Sequence, residues 1–452
     1  MRAEAYRFLE RAKYEVVVKG VPELRPWAPT KHKIANVLEA LRAVTHLPDT
    51  TQPPRWIEGD GPDPGELVVM ANGILHLPTR RLLPHDPRLF VTYSVPFGYD
   101  EVAAIPRRWL DFLAELWDGD EQSIDLLQEV FGYVLAGDTR LQKIMMLVGP
   151  TRAGKGVIAT MLSAMVGQHN VGAPTLAGLT QNFGLQDLIG KTLAVVSDAR
   201  LGRQANVAAL AERLLSISGE DAITVDRKYR QPWTGRLVAR FLLLTNELPR
   251  FTDASRALAK RFVVLVMTRT FYDNEDPALL SKLLPELPGI LNWSLDGLDR
   301  LREQGHFTQP ASAKEAIREL EDLASPMSAF LRDRCKVGRD REVAVDDLWA
   351  TWRAWCEDQS QHHGTKQTFG RDLRAAVPGV RVSQPRDGDV RHRAYVGVGL
   401  IGENSGEDRV PPVPNPDSGT PGTHGTRSNP LFVQQEDFDP EYATDDDGEV
   451  AS

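Results

Sequence analysis

The chain has 452 residues, room for about three domains of roughly 150 residues, and its 42% hydrophobic and 25% charged content excludes a collagen, a coiled-coil rod and a wholly disordered chain. The net charge of −9 is unevenly spread: residues 401–452 hold twelve Asp/Glu against two Arg, or −10, which leaves the first 400 residues at +1 and open to nucleic-acid binding. No apolar run reaches the roughly 18–20 residues of a membrane span, the start at Met1-Arg2-Ala3-Glu4 is no signal core, and two cysteines, Cys335 and Cys356, make neither a disulfide framework nor a zinc site. The expectation is a cytoplasmic protein without a membrane partner.

In chain order, residues 1–100 are expected to form an α+β region. It contains a helix from Lys31 to Thr45 and a β-hairpin around Asn72-Gly73 within Leu67–Leu77. Residues 101–140 carry Trp109, Phe112, Leu113, Leu116, Ile124, Leu127, Val130 and Phe131 at helical spacing and are expected to form a helical collar. Residues 141–310 alternate helices with the apolar runs Ile144–Val148, Thr192–Val196, Phe241–Leu244 and Phe262–Val266, the pattern of a parallel α/β core. Residues 311–400 form a small basic unit, and residues 401–452, rich in Pro, Gly, Ser, Thr and acid, are expected to be disordered.

The run Ile144–Val148 enters Gly149-Pro150-Thr151-Arg152-Ala153-Gly154-Lys155-Gly156, and a helix from Val157 follows. A strand, G-x-x-x-x-G-K and a helix is the context of a phosphate-binding loop. Its backbone N–H groups turn inward around phosphate oxygens, the helix N-terminus adds positive potential, and Lys155 reaches the β- and γ-phosphates. The loop from Gly149 to Val157 is thus the candidate ATP cradle; the alternative is a plain glycine turn. One departure is that Gly156 stands where a Ser or Thr usually ligates Mg²⁺, and Thr160 lies a turn later.

The strand Thr192–Val196 ends in Ser197-Asp198, and Asp198 is the candidate carboxylate that holds Mg²⁺ through water and orients the attacking water. The alternative is a helix N-cap. Asn246 ends the run Phe241–Leu244-Thr245 and can reach a γ-phosphate or its water, although such an Asn is often a turn residue. Arg261, just before Phe262, is a candidate arginine finger or a surface arginine. Between the second and third strands, Ile223–Asp226 leads to Arg227-Lys228-Tyr229-Arg230 and a return strand. A basic, aromatic hairpin tip suits single-stranded nucleic acid; the alternative is a solvated turn. In the C-terminal unit, an amphipathic helix at 343–356, a basic helix at 366–376 and two strands around Asp387-Gly388 make a winged-helix pattern. Lys366, Arg371 and Arg374 would contact double-stranded DNA, unless the unit only packs on the core.

Together the loop at Gly149–Gly156, the strand ending at Asp198, Gly219-Glu220-Asp221…Arg227-Lys228-Tyr229, Thr245-Asn246-Glu247-Leu248-Pro249 and Arg261-Phe262 resemble the superfamily 3 helicases. The likeness is to the C-terminal helicase part of phage and plasmid primase–helicases, the poxvirus-type nucleoside triphosphatases. It runs from about residue 65 to 310 and more loosely to 400. It implies an AAA+-like ATP hydrolase using ATP and Mg²⁺, a hexameric ring with single-stranded DNA in its channel, a winged-helix appendage and a bacterial host cell. Where the family often has two acids at the second strand, this chain has Ser197 before Asp198. Residues 1–60 are too short for a primase domain, which makes a separate primase a candidate partner. Two other readings stand beside it: a P-loop small-molecule phosphotransferase and a catalytically weak DNA-binding ring.

Overall fold

The computed structural model describes residues 2–48, 51–200, 206–249, 256–384, 386, 387 and 390–401. The expected acidic tail, apart from Ile401, and the expected turn at Gly388 lie outside them. Helix α1 (Arg2–Glu10) precedes an antiparallel ribbon of β1 (Lys13–Val18) and β2 (Val21–Pro26), then α2 (Lys31–Val44), capped by the Thr30 hydroxyl on Lys33 N. Short strands β3 (Arg55–Trp56) and β7 (Leu89–Phe90) pair around a meander of β4 (Leu67–Met70), β5 (Gly73–His76) and β6 (Arg81–Leu83). The expected hairpin is there, with Met70 opposite Gly73 across Ala71-Asn72.

The stretch 106–136 forms two helices, α3 (Arg107–Trp117) and α4 (Glu121–Leu135). Asp118 in the left-handed region ends the first, and Asp120 caps the second through Ser123 N. The core follows with β8 (Ile144–Val148), α5 (Lys155–Val166), β9 (Val171–Gly172), α6 (Leu176–Leu179), β10 (Leu193–Val196) and α7 (Val207–Ser218). A second ribbon, β11 (Ile223–Arg227) and β12 (Arg230–Gly235), leads to β13 (Arg240–Thr245), α8 (Arg256–Ala259) and β14 (Phe262–Val266). Five strands form one parallel sheet in the order β14-β8-β13-β10-β9. A sheet covered on both faces reads as continuous apolar runs, which is why four of these strands were visible in the sequence and the two-residue edge strand β9 was not.

Alternation within the strands sorts the side chains into two layers. Met145, Leu147, Leu193, Val195, Leu242, Leu244, Val263 and Leu265 face α3, α4, α5 and a long helix α10 (Leu287–Gln304), which follows α9 (Leu279–Leu283). Ile144, Met146, Ala194, Val196, Phe241, Leu243 and Val264 face α6, α7, α8 and α11 (Lys314–Ala324). Helices α4 and α10 approach closely because glycines meet there: a Cβ on Gly132 would lie 2.4 Å from Ser294 O, and one on Gly297 would lie 2.6 Å from Gln128 O.

The C-terminal unit has α12 (Pro326–Arg334), β15 (Cys335–Ala344), α13 (Val345–Asp358), α14 (Lys366–Ala376), β16 (Arg381–Ser383), β17 (Arg386–Asp387), β18 (Val390–Arg391) and β19 (Ala394–Leu400). An antiparallel sheet in the order β15-β19-β16 backs the three helices, with Phe330, Leu348, Trp352, Trp355, Phe369 and Tyr395 in a core of their own. Residues 343–344 belong to β15, so the helix expected from 343 begins two residues later. The apolar face of α11, with Ala316, Ile317 and Leu320, packs on the parallel sheet, whereas the C-terminal core begins at Met327. Cys335 and Cys356 are buried free thiols, and burial pushes them up to about 12 and about 11.

Candidate nucleotide site and nucleic-acid surfaces

The glycine-rich loop leaves the C-terminal end of β8 and closes on α5, whose N-cap Gly154 has φ +87°, a value that favours glycine. Gly149 sits so close to β14 that a Cβ there would lie 2.4 Å from Met267 O. Residues after β14 brace the loop from outside. Thr270 Oγ1 donates to Thr151 O at 2.9 Å, Phe271 N donates to Arg152 O at 2.9 Å, and Arg152 pairs with Glu275 at 3.1 Å. The first-turn N–H groups of α5 therefore face a fixed loop, the arrangement that holds an anion.

Lys155 Nζ donates to Gly149 O at 2.5 Å, Pro150 O at 2.7 Å and Asn246 Oδ1 at 3.0 Å. Partial burial lowers its pKa from the ordinary lysine value. Asn246 follows β13, which lies directly beside β8, and its amide also reaches Thr151 Oγ1 at 3.5 Å. The structure thus joins the loop, Lys155 and Asn246, residues far apart in sequence.

Asp198 lies two residues beyond β10, the strand on the far side of β13, so it is one strand further from the loop. Its carboxylate is exposed and accepts from Arg200 Nε at 2.9 Å. The next helix, α7, is capped by Asn206 through Ala209 N, so Asp198 is not that helix's cap. Gly156 offers no hydroxyl, and Thr160 Oγ1 donates back to Gly156 O at 2.8 Å, away from the loop. Among the described residues no cluster of three or more His, Cys, Asp and Glu could hold a metal ion. The loop's backbone N–H groups and Lys155 are donors that fit the phosphates of a nucleotide.

Arg261 lies at the opposite end of the sheet. It precedes Phe262, which pairs with Ile144 at the start of β8. Its guanidinium donates to Ser218 O at 3.2 Å and Gln142 O at 3.3 Å, and it lines an open groove of about 710 Å³ with Asn206, Glu212, Ser216 and Asp221. Lys228 and Tyr229 form the tip of the β11–β12 ribbon. Tyr229 is 94% exposed with φ +59°, and the Lys228 ammonium lies 5.3 Å from the centre of its ring. Arg227 Nε is tied to Gln231 O at 2.8 Å, and Lys228 N donates to Gln186 Oε1 at 3.1 Å. In α14, Lys366 pairs with Asp346, Arg371 Nε with its neighbour Asp372 at 2.9 Å, and Arg374 is exposed.

Two features that sequence reasoning missed hold the site in place. One is the brace of Thr270, Phe271 and Glu275, which follows β14 without a motif. The other is Glu129, a fully buried carboxylate on α4 that accepts from Arg300 Nε, Gln304 Nε2, Thr308 N and Thr308 Oγ1. In sequence it is one acid among many; only its place in the apolar stretch Leu126–Val134 hints at burial.

The five-stranded parallel sheet, the glycine loop at a strand end and the polar residues ending the neighbouring strands define an α/β protein with a phosphate-binding loop. Residues 30–118 match the family described as D5 N terminal like, and residues 147–261 match a family of unknown function, DUF5906. Among solved structures, the chain is similar to the apo structure of the NrS-1 C terminal region, at 12% identity and TM-score 0.50 over 86% of this chain and 94% of that one. An uncharacterized mitochondrial protein, ymf21, of Marchantia polymorpha is 24% identical over 129 residues, 26% of this chain and 72% of the relative. No described helix is long and apolar enough to cross a membrane.

Proposed function

We propose that the chain is an ATP-driven DNA translocase, the superfamily 3 helicase part of a phage, plasmid or integrated-element replication system, acting as a ring. The observation that carries this reading is the 3.0 Å hydrogen bond from Lys155 to Asn246, between the ends of adjacent parallel strands. It matches a site where one side chain meets the β- and γ-phosphates and the other senses the γ-phosphate or positions its water. Residues Gly149 to Val157 cradle the phosphates through backbone N–H groups. Asp198 is the acid for the metal and the water, and bound Mg²⁺ supplies neutralisation of phosphate charge. Arg261 serves the neighbouring subunit's ATP. Arg227, Lys228 and Tyr229 engage single strands, and Lys366, Arg371 and Arg374 engage a duplex.

The test is ATPase activity with and without single-stranded DNA, for the wild type, Lys155→Ala and Asp198→Asn. DNA-stimulated hydrolysis is expected in the wild type. Lys155→Ala should lose it while staying folded, and Asp198→Asn should bind ATP without turnover. Normal turnover in either variant would sink its assignment. The Asp198–Arg200 pair and the missing hydroxyl at Gly156 favour a second reading, a weakly catalytic ring, which would bind DNA without turnover. A phosphotransferase would instead phosphorylate a nucleoside monophosphate in the absence of DNA.

A further inference from the structure

The N-terminal ribbon is an incompletely buried element. Among residues 2–48 only Ile34 is buried, while Phe8, Tyr14, Val17, Val21, Leu24 and Val44 are 46–85% exposed. Two strands alone are marginal in water, and among the described residues no third strand pairs with this ribbon.

Its two edges differ. Trp27 N donates to Ala12 O at 2.9 Å, which fixes the alternation of the ladder. Positions 14, 16 and 18 of β1 therefore bond β2, and the backbone N–H and C=O of Lys13, Glu15 and Val17 point outward. Their cross-strand neighbours on β2 are Pro26, Leu24 and Pro22. The prolines leave Leu24 as the sole outward N–H among those three, so the β2 edge is closed to further pairing. The β1 edge keeps every donor and acceptor, with no proline and no bulge.

We infer that β1 pairs antiparallel with β1 of a second copy of this chain, making a four-stranded sheet in the order β2-β1-β1-β2 about a twofold axis. The charges on the edge choose the copy and the register. With the axis at Tyr14, Lys13 of each chain lies opposite Glu15 of the other, two ion pairs at once. With the axis at Glu15, like charges oppose; with the axis at Val16, Glu15 faces Val17 and no ion pair forms. Tyr14 faces its own counterpart as a non-hydrogen-bonded pair, the closer kind, with Cα atoms about 4.5 Å apart. The contact uses neither the glycine loop nor the groove at Arg261. It joins chains, or rings of chains, in pairs.

The experiment uses the full chain with Tyr14→Cys under mild oxidation. About 4.5 Å suits a disulfide, and the native thiols Cys335 and Cys356 are buried. A covalent species of twice the 50.2 kDa chain mass is expected for Tyr14→Cys and not for Val16→Cys. Adding Glu15→Pro removes one outward N–H and leaves the β1–β2 bonds intact, so the yield should fall about tenfold. Lys13→Glu added to Tyr14→Cys should lower it similarly, and Lys13→Glu with Glu15→Lys should restore it. Equal crosslinking at 14 and 16, or a yield indifferent to Glu15→Pro, overturns the inference. So does failure of the charge swap to restore it, which also decides the matter if proline unfolds the ribbon.

Discussion

Gly156 is the residue at which sequence and structure together make a sharp statement. It takes the place of a metal-ligating hydroxyl, yet a Cβ built there meets no atom within 4 Å. Its absence of a side chain is therefore not imposed by packing. Gly156→Thr should fold normally and gain up to about 0.5 kcal/mol, since glycine is the poorer helix former in the first turn of α5. The new hydroxyl would sit beside the loop, so the Mg²⁺ concentration for half-maximal ATPase activity should fall several-fold. A Mg²⁺ titration beside a thermal melt reads both. Unchanged Mg²⁺ dependence in a folded variant would mean that position 156 does not face the metal.

Asp198 and Arg261 mark the limits of reading single residues from sequence. A strand-end acid and an arginine before a strand are each visible, but their partners are not. The Arg200 guanidinium on Asp198 and the carbonyls of Gln142 and Ser218 on Arg261 are set by chain segments that meet only in the fold.

Among elements, the strands of the parallel sheet other than the short β9 were legible because burial on both faces leaves little but Val, Leu, Ile, Met and Phe in them. The loop was legible because its glycines need a particular context on both sides. Strand β15 was not, because Lys336, Arg339, Asp340 and Glu342 fall on its exposed positions and only Cys335 and Val343 are buried. The packing of α4 on α10 was equally hidden. It depends on Gly132 and Gly297, which read as helix breakers in sequence and act as points of close approach.

Glu129 holds that helix pair to residue 308. Its four accepted hydrogen bonds satisfy a carboxylate with no exposed surface. Glu129→Ala leaves Thr308 N and Arg300 Nε without the carboxylate they donate to, although the guanidinium keeps Asp125, and should destabilise the protein by about 3 kcal/mol. Chemical denaturation measures it, and a loss below about 1 kcal/mol would show that water replaces the carboxylate.

The β11–β12 ribbon carries a prediction of its own. Its tip is exposed, and Lys228 stacks over Tyr229 with nothing in the core depending on either. Lys228→Ala with Tyr229→Ala should keep stability and basal ATPase activity. It should lose stimulation by single strands and stop unwinding, since base stacking on one aromatic contributes roughly 1–3 kcal/mol. Duplex binding through α14 should persist. Normal stimulation in the double variant removes the ribbon from the mechanism.

At the scale of the whole molecule, the position of Arg261 decides how the ATP site can be completed. Arg261 stands at the start of β14, level with Ile144, and the glycine loop begins after Val148 at the other end of β8. Five residues at about 3.3 Å each put roughly 16 Å between the two ends. A chain with this fold cannot bring Arg261 to its own loop, so any catalytic use of the residue requires a neighbour. Lys155→Ala and Arg261→Ala should each be inactive alone. When they are mixed before assembly, about a quarter of interfaces in random rings pair an intact loop with an intact arginine, and ATPase activity should return to a fraction of that order. Melting curves on Arg261→Ala separate this from structural damage, because the residue also bonds Gln142 O and Ser218 O. If both variants are folded, mixed assemblies are confirmed by mass and no activity returns, Arg261 is a brace between β8 and α7 and the trans residue lies elsewhere.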